Sequence, residues 1–349
     1  MSGERKVSII VCTCNRAGAL RNTLEALGKL RFPLEWVAEL FVVDNGSTDN
    51  TASVVERCRL RNMEVRYLFE PRKGQSHARN SGLASARGEV ILFTDDDVSP
   101  RQDWAIEMMQ PLLDGTCDAV TGQITLAPNL MRDWLSSSHR WWLASSEDAQ
   151  LRDGIRELIG ANMGFRRSVL ERVPAFDTEL GPGASGFADD TLFGWQLSEA
   201  GFRIGYARSA VVIHHLDPSR LRRTAWLSAA RGRGRSEAYR RYHWEHADIA
   251  YRRLRQLYYF IKLQLRRIVH RPPPLESEKC PLWEMGYVLH IEMCKQFCLE
   301  RRRPRNYERR GLVRHLPPGH VPKEVAETRQ GTGDGGTSCG ELLPRQTVE

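Results

Sequence analysis

Residues 88–98, GEVILFTDDDV, decide how the fold of this chain is read. Val90, Ile91, Leu92 and Phe93 are apolar at every position, without the alternation of a strand that has one wet face. They read as a strand buried on both sides in a parallel sheet. Asp95, Asp96 and Asp97 follow where that strand would reach the carboxyl edge, the edge at which open α/β sheets bind ligands. Adjacent carboxylates repel one another unless a cation or a set of donors lies among them. Mg²⁺ or Mn²⁺, held by one or two carboxylates plus substrate phosphates, meets that need. A solvated turn with a helix-capping Asp is the other reading, because Ser99 and Pro100 resemble the start of a helix.

Upstream, strands and helices alternate. Residues 6–12 (KVSIIVC) are a β-branched run that predicts a buried strand, and residues 17–30 repeat Leu20, Leu24 and Leu27 at helical spacing. Thr13, Cys14, Asn15 and Arg16 form the corner between them. Residues 37–43 predict a second strand ending in Asp44, Asn45 and Gly46, with a helix following to about Leu60; residues 65–69 predict a third strand and residues 75–86 a third helix. Such alternation implies βαβ units and a mostly parallel sheet.

Downstream of the Asp triplet, residues 104–113 predict a helix and 117–126 a strand. Trp134, Trp141 and Trp142 read as core or lid packing. Residues 158–165 (LIGANMGF) are small and apolar, as suits backbone that must approach a ligand or another strand closely. Residues 181–187 (GPGASGF) read as a moving loop. Asp189 and Asp190 then open a helix that Gly201 ends. Two short strands, 203–206 and 210–213, lead to His214 and His215.

The net charge of +8 conceals an asymmetry: residues 218–349 carry 27 Lys+Arg against 14 Asp+Glu, which leaves the first 217 residues acidic. Arg220, Arg222, Arg223, Arg231, Arg233 and Arg235 interleave with Leu221, Trp226 and Leu227, and a second basic amphipathic helix is predicted over 249–269. Eight irregularly spaced cysteines suit a reducing compartment, and Cys294 with Cys298 read as core thiols. No apolar run reaches the length of a membrane span and the first residues lack a signal-peptide core, so the expectation is a cytoplasmic protein, soluble or peripheral on the inner face of a membrane. Three segments are expected: a catalytic domain over 1–217, an arginine-rich helical extension over 218–315, and a disordered tail over 316–349.

The stretches VSIIVCTCNR, FVVDNGSTDNT, KGQSHARNSGLASARGEVILFTDDDV, GANMGFRRSVL and FADDTLFGWQLSEAGFRIGYARSAVVIHH together resemble the successive motifs of the family 2 glycosyltransferases, from residue 6 to about residue 215. The resemblance implies the GT-A fold, a Rossmann-like α/β arrangement, and an inverting transfer of sugar from a nucleoside-diphosphate-sugar, a UDP-sugar above all. Asp95 and Asp97 take the DxD position and imply metal ligation, with Asp95 or Asp96 near the ribose. His214, or else His215, matches the late His of the metal or phosphate site. Thr13, Asn15 and Arg16 match the first nucleotide-binding corner, and Asp44 with Asn45 the pair that meets base and ribose. Lys73, Arg79 and Asn80 fall in the segment before the DxD strand, where a cation near the donor is implied. Asp190 matches the catalytic base of the ED motif, with Asp189 in place of Glu. The chain departs from the pattern at Cys12 and Cys14, where Pro and Tyr are usual, and at Asn45, where a second Asp is usual.

The implied partners are the nucleotide-sugar donor and a carbohydrate or lipid-linked acceptor in glycan, polysaccharide or glycolipid synthesis. The basic helices over 218–271 imply an anionic membrane surface, or else a helical extension packed on the catalytic domain or a second subunit. No nucleic acid is expected, because the carboxylate array would repel it. A nucleotidyltransferase and a non-catalytic sugar-nucleotide-binding relative are the competing functions.

Overall fold

The computed structural model describes residues 5–147 and 157–315. Residues up to Arg314 belong to one compact unit; a second unit starts at His315, and the tail expected over 316–349 lies outside the described residues.

The N-terminal half folds as the alternation predicts: β1 (Arg5–Thr13), α1 (Ala17–Leu27), β2 (Trp36–Asp44), α2 (Thr51–Arg57), β3 (Glu64–Phe69), α3 (Gln75–Ser85) and β4 (Val90–Asp95). Then follow β5 (Val98–Pro100), α4 (Trp104–Leu113), β6 (Ala119–Leu126), α5 (Ser137–Trp142), β7 (Asn162–Arg166), α6 (Asp189–Glu199) and β8 (Ile204–His214). The eight strands form one sheet in the order β3-β2-β1-β4-β7-β6-β8-β5. Strands β1 to β4 pair in parallel, as do β6 and β8, whereas β7 runs antiparallel to both β4 and β6, and β5 antiparallel to β8.

Val90 to Phe93 are fully buried, because the sheet is covered on both faces. One face packs on α1 and α4 through Leu20, Leu24, Trp104 and Met108. On the other, Phe93 meets Phe165 and Phe176, which in turn meet Phe193 of α6, with ring centroids 4.4–5.9 Å apart. That aromatic cluster holds the start of α6 against the carboxyl edge of β4.

Two local expectations differ. Ser99 and Pro100 form the short strand β5 instead of a helix start, because Val98 is drawn in against β8 and its N–H donates to Thr23 Oγ1 at 3.2 Å. The two strands expected over 203–213 are one, β8, interrupted by a bulge where the register with β6 slips between Gly122 and Gln123, beside the exposed Arg208 and Ser209.

The C-terminal third contributes α7 (Arg223–Tyr239), α8 (Arg252–His270) and α9 (Leu282–Glu300). Arg223 of α7 and Arg240, just after it, turn inward, whereas Arg231 is exposed. Arg223 is buried and donates to Glu284 of α9 at 2.5 and 2.8 Å. Arg240 pairs with Glu237 at 2.7 Å and with Glu245. Trp226 is buried against Trp134, whose ring also meets His139 edge-on. The interleaved aromatic residues are therefore core.

Candidate active site

The register of the sheet stands Thr13 beside Asp44 and Cys12 beside Asp95. The ends of β2, β1 and β4 thus line up the polar residues that the sequence singles out. Strand β5 then turns back to set Val98 opposite His214, which carries the imidazole to the Asp triplet.

Within that triplet the carboxylates have different partners. Asp96 is buried and accepts from Thr13 Oγ1 at 2.7 Å and Arg16 Nη1 at 3.0 Å; burial pushes it up to about 6 against the pull of Arg16. Arg16 also reaches Asp97 Oδ2 at 2.9 Å. Burial alone would raise Asp97, but His214 and Arg16 outweigh it and hold its carboxyl below the usual range. Asp95 is raised, by burial first and by Asp97 next. One arginine does not neutralise three carboxylates.

The residue of that imbalance is visible in the geometry. Asp97 Oδ1 is buried without a hydrogen-bond partner, although His214 Nε2 lies 3.1 Å away, and His214 Nδ1 has none either. Asp95, Asp97 and His214 each offer a ligand atom, all within 4.8 Å of one another. Excess negative charge, oxygen donors and one imbalance at a buried oxygen fit a hard divalent cation. Of the two histidines, His214 belongs to this cluster: His215 is exposed and contributes its backbone N–H, which donates to the Asp97 carbonyl at 2.7 Å.

The second acidic pair is built differently. Ala188 precedes α6 in the left-handed region, at φ 73°, and aims the first turn at the sheet edge. Asp189 is buried and accepts from Arg79 Nη1 at 2.5 Å and Ser76 Oγ at 3.3 Å. Arg79, itself buried on α3, is desolvated, yet Asp189, Asp190 and Asp95 together raise its affinity for the proton. Asp190 has no ion pair among the described residues. It accepts the backbone N–H of Gly160 and of Thr191, both at 2.7 Å, and burial, then Asp189, push it up to about 6. The adjacent Ala161 carbonyl accepts from Thr94 Oγ1 at 2.9 Å. Asp190 and the end of β4 are therefore fastened to neighbouring residues of one short segment, and Arg79 feels the charge of both acids. Gly160 is required here, since a Cβ would lie 1.8 Å from Arg79 Nη2.

The corner expected to meet the nucleotide is partly self-satisfied. Asn15, at φ 55°, accepts the Thr48 N–H at 2.7 Å, and Asp44 accepts the Ser47 N–H at 2.8 Å and the Tyr67 hydroxyl at 2.9 Å. Asn45 spends its whole amide on the following loop: Nδ2 donates to the carbonyls of Glu70 and Arg72 at 3.0 and 2.7 Å, and Oδ1 accepts the Gly74 N–H at 2.9 Å. Asn80 likewise holds the backbone of Phe176. Lys73 is exposed beside them. The glycine-rich loop read as mobile is pinned in this structure. Pro182 accepts the Gln75 N–H at 2.9 Å, and Ser185 and Phe187 bond Ser236 of α7 at 2.8 and 3.1 Å.

Three residues that the sequence does not assign to the site lie beside it. Tyr67 fixes Asp44. Arg220, on the turn Pro218–Leu221, is lowered by burial and by Arg16, while Asp97 and Asp95 oppose, and it has no ion pair among the described residues. Arg233 lies over the Trp142 ring at 4.5 Å, within the field of Asp190. Both arginines sit in a run of arginines, where nothing local marks one from the next.

Residues 8–173 match the family model described as glycosyl transferase family 2. Just under half of the chain is thus similar to the family 2 glycosyltransferases. The matched span contains the Asp triplet, and Asp189, Asp190 and His214 lie beyond it. Among proteins similar to it is a probable glycosyltransferase, YdaM, of Bacillus subtilis, 26% identical over 59% of this chain and 50% of that one. A glucosyl-dolichyl phosphate glucuronosyltransferase of Haloferax volcanii is 27% identical over 50% and 57%. The chain spans about half the length of these curated relatives. A solved mannosyltransferase, PcManGT of Pyrobaculum calidifontis, is 20% identical over 84% of this chain and 74% of that one, with a TM-score of 0.49.

Proposed function

We propose that the chain transfers a sugar, with inversion, from a nucleoside-diphosphate-sugar, a UDP-sugar first among them, to a hydroxyl of a carbohydrate or lipid-linked acceptor. The observation that carries this reading is the pairing of a metal-competent trio, Asp95, Asp97 and His214, with an acid that lacks a counter-ion, Asp190, on one sheet edge. Asp95, Asp97 and His214 would hold Mn²⁺ or Mg²⁺, which when bound supplies positive charge opposite a leaving diphosphate.

The remaining steps belong to side chains. Asp190 takes the proton of the acceptor hydroxyl as its oxygen bonds to the anomeric carbon, and the bond from that carbon to the phosphate oxygen breaks, releasing nucleoside diphosphate. Its value of about 6 keeps it ionised at neutral pH yet basic enough to accept the proton. Asp189 acts on Arg79 as a positioning residue, and Arg16 and Arg220 bring cations to the diphosphate side. Thr13, Asn15 and Asp44 frame the nucleoside. With the Asn45 amide engaged by the following loop, the ribose is assigned to Asp44 with Asp95 or Asp96. A relative named for a dolichyl phosphate acceptor supports a lipid-linked acceptor here.

Seven free cysteines among the described residues suit a reducing compartment, and no described helix is long and apolar enough to cross a membrane. We place the chain on the cytoplasmic side, peripheral to a membrane. The test is release of nucleoside diphosphate from a panel of UDP- and GDP-sugars with Mn²⁺, and the anomeric configuration of any product by NMR. Mn²⁺-dependent release with inversion is expected for one base. Pyrophosphate release from a sugar phosphate and a nucleoside triphosphate would instead make the chain a nucleotidyltransferase, and failure of every donor a non-catalytic relative.

A further inference from the structure

Helix α8 has two apolar sides where a surface helix needs one. Its inner side recurs at four-residue spacing: Leu263 is buried, the Tyr259 ring lies 4.6 Å from His290 and 6.1 Å from Tyr287, and Arg267 donates to Glu284 at 2.8 Å, all on α9. Turned half-way round the helix lie Leu254, Leu257, Tyr258, Ile261, Leu265 and Ile268, between 48% and 72% exposed. At 3.6 residues per turn these fall in one stripe directly opposite α9. Packing within the unit is already satisfied on the α9 side, so the outer stripe is additional.

Charge accompanies it. From Ile249 to Leu275 the sequence contains no Asp or Glu. On the helical wheel Arg253 and Arg271 flank the stripe on one side, Arg255, Lys262 and Arg266 on the other, and none of these has an ion pair among the described residues. By contrast, Arg223 of α7 and Arg240, just after that helix, find glutamates.

We infer that the outer face of α8 is a membrane-docking surface, its apolar stripe lying at the acyl boundary and its flanking cations meeting anionic headgroups. A second copy of the chain would set one uncompensated basic face against another, which like-charge repulsion opposes. The inference gives the peripheral position proposed above its surface. It is independent of the sugar chemistry, so vesicle binding and donor hydrolysis fail or succeed separately.

The full chain is sedimented with phosphatidylcholine vesicles, with and without phosphatidylserine, at low and high salt. Binding is expected to need the anionic lipid and to weaken with salt. Leu257→Glu/Ile261→Glu/Leu265→Glu should abolish it, and Arg253→Glu/Arg255→Glu/Lys262→Glu should weaken it by at least roughly tenfold. Because every one of these side chains is exposed, melting temperature and metal-dependent donor hydrolysis should not change, while Arg231→Glu on α7 should leave vesicle binding as it is. A chain that stays in the supernatant with anionic vesicles overturns the proposal. So does a dimer in analytical ultracentrifugation that the apolar triple variant dissociates.

Discussion

Two clusters of adjacent aspartates meet at one sheet edge, and they differ in where their counter-charge comes from. At the start of α6 the protein supplies it: Arg79 sits on Asp189 at 2.5 Å, both buried, and Asp190 accepts from the backbone of Gly160 and Thr191 and from the Thr191 hydroxyl. At the end of β4 it does not. Arg16 is shared between Asp96 and Asp97, and Asp97 Oδ1 faces the His214 imidazole at 3.1 Å beside Asp95. A carboxylate with an internal cation holds structure together. One without is available either to a metal or to a proton.

The largest effect should follow from removing the acid without a cation. Asp190→Asn is expected to lower sugar transfer by about 10²–10⁴-fold while nucleoside diphosphate binding, read by calorimetry, persists. The same variant should be more stable at neutral pH. A carboxyl raised to about 6 in the fold is disfavoured when ionised, so its contribution is full below the ordinary carboxylate value and lost as pH rises through 6. The gain, about 1–3 kcal/mol in chemical denaturation at neutral pH, should vanish below about pH 4. Near-normal turnover in Asp190→Asn would erase the distinction between the clusters.

Next is the pair that carries its own cation. Arg79→Met leaves Asp189 buried and alone, and should cost about 3–5 kcal/mol, whereas Arg79→Met with Asp189→Leu should recover much of it. If the single variant were as stable as the wild type, Asp189 would not be structural. Turnover of the wild type should rise with pH through about 6 as Asp190 loses its proton. A profile flat from pH 5 to 8 would assign the base elsewhere. The smallest effect concerns Asn45. Asn45→Asp restores the residue usual in the family, but its carboxylate would face the carbonyls of Glu70 and Arg72, so a loss of about 1–3 kcal/mol without tighter donor binding is expected from denaturation and calorimetry.

Much of this was legible before any coordinates. A strand covered on both faces is apolar throughout, so Val90 to Phe93 announced both the sheet and its functional edge. What the sequence could not separate was decided by distant pairing. His214 and His215 are neighbours whose difference rests on β5, three residues that read locally as a helix start. Asp189 and Asp190 look alike until Arg79, far earlier in the chain, takes one of them. The arginines of α7 and α8 share one texture, and only the pairing with Glu284 on α9 shows which of them, Arg223 and Arg267, turn inward. Asn45 read as a weakened ribose contact, but its amide holds the loop that follows.

The central claim is that Asp95, Asp97 and His214 call for a cation that the protein itself does not provide. Calorimetric titration of UDP and GDP into the wild type and into Asp97→Ala, with Mn²⁺ and with chelator, tests it most directly. Nucleoside diphosphate binding that requires Mn²⁺ in the wild type and is lost in a folded Asp97→Ala is the predicted result. Equal binding with Mn²⁺ and with chelator, unaltered by Asp97→Ala, would contradict it.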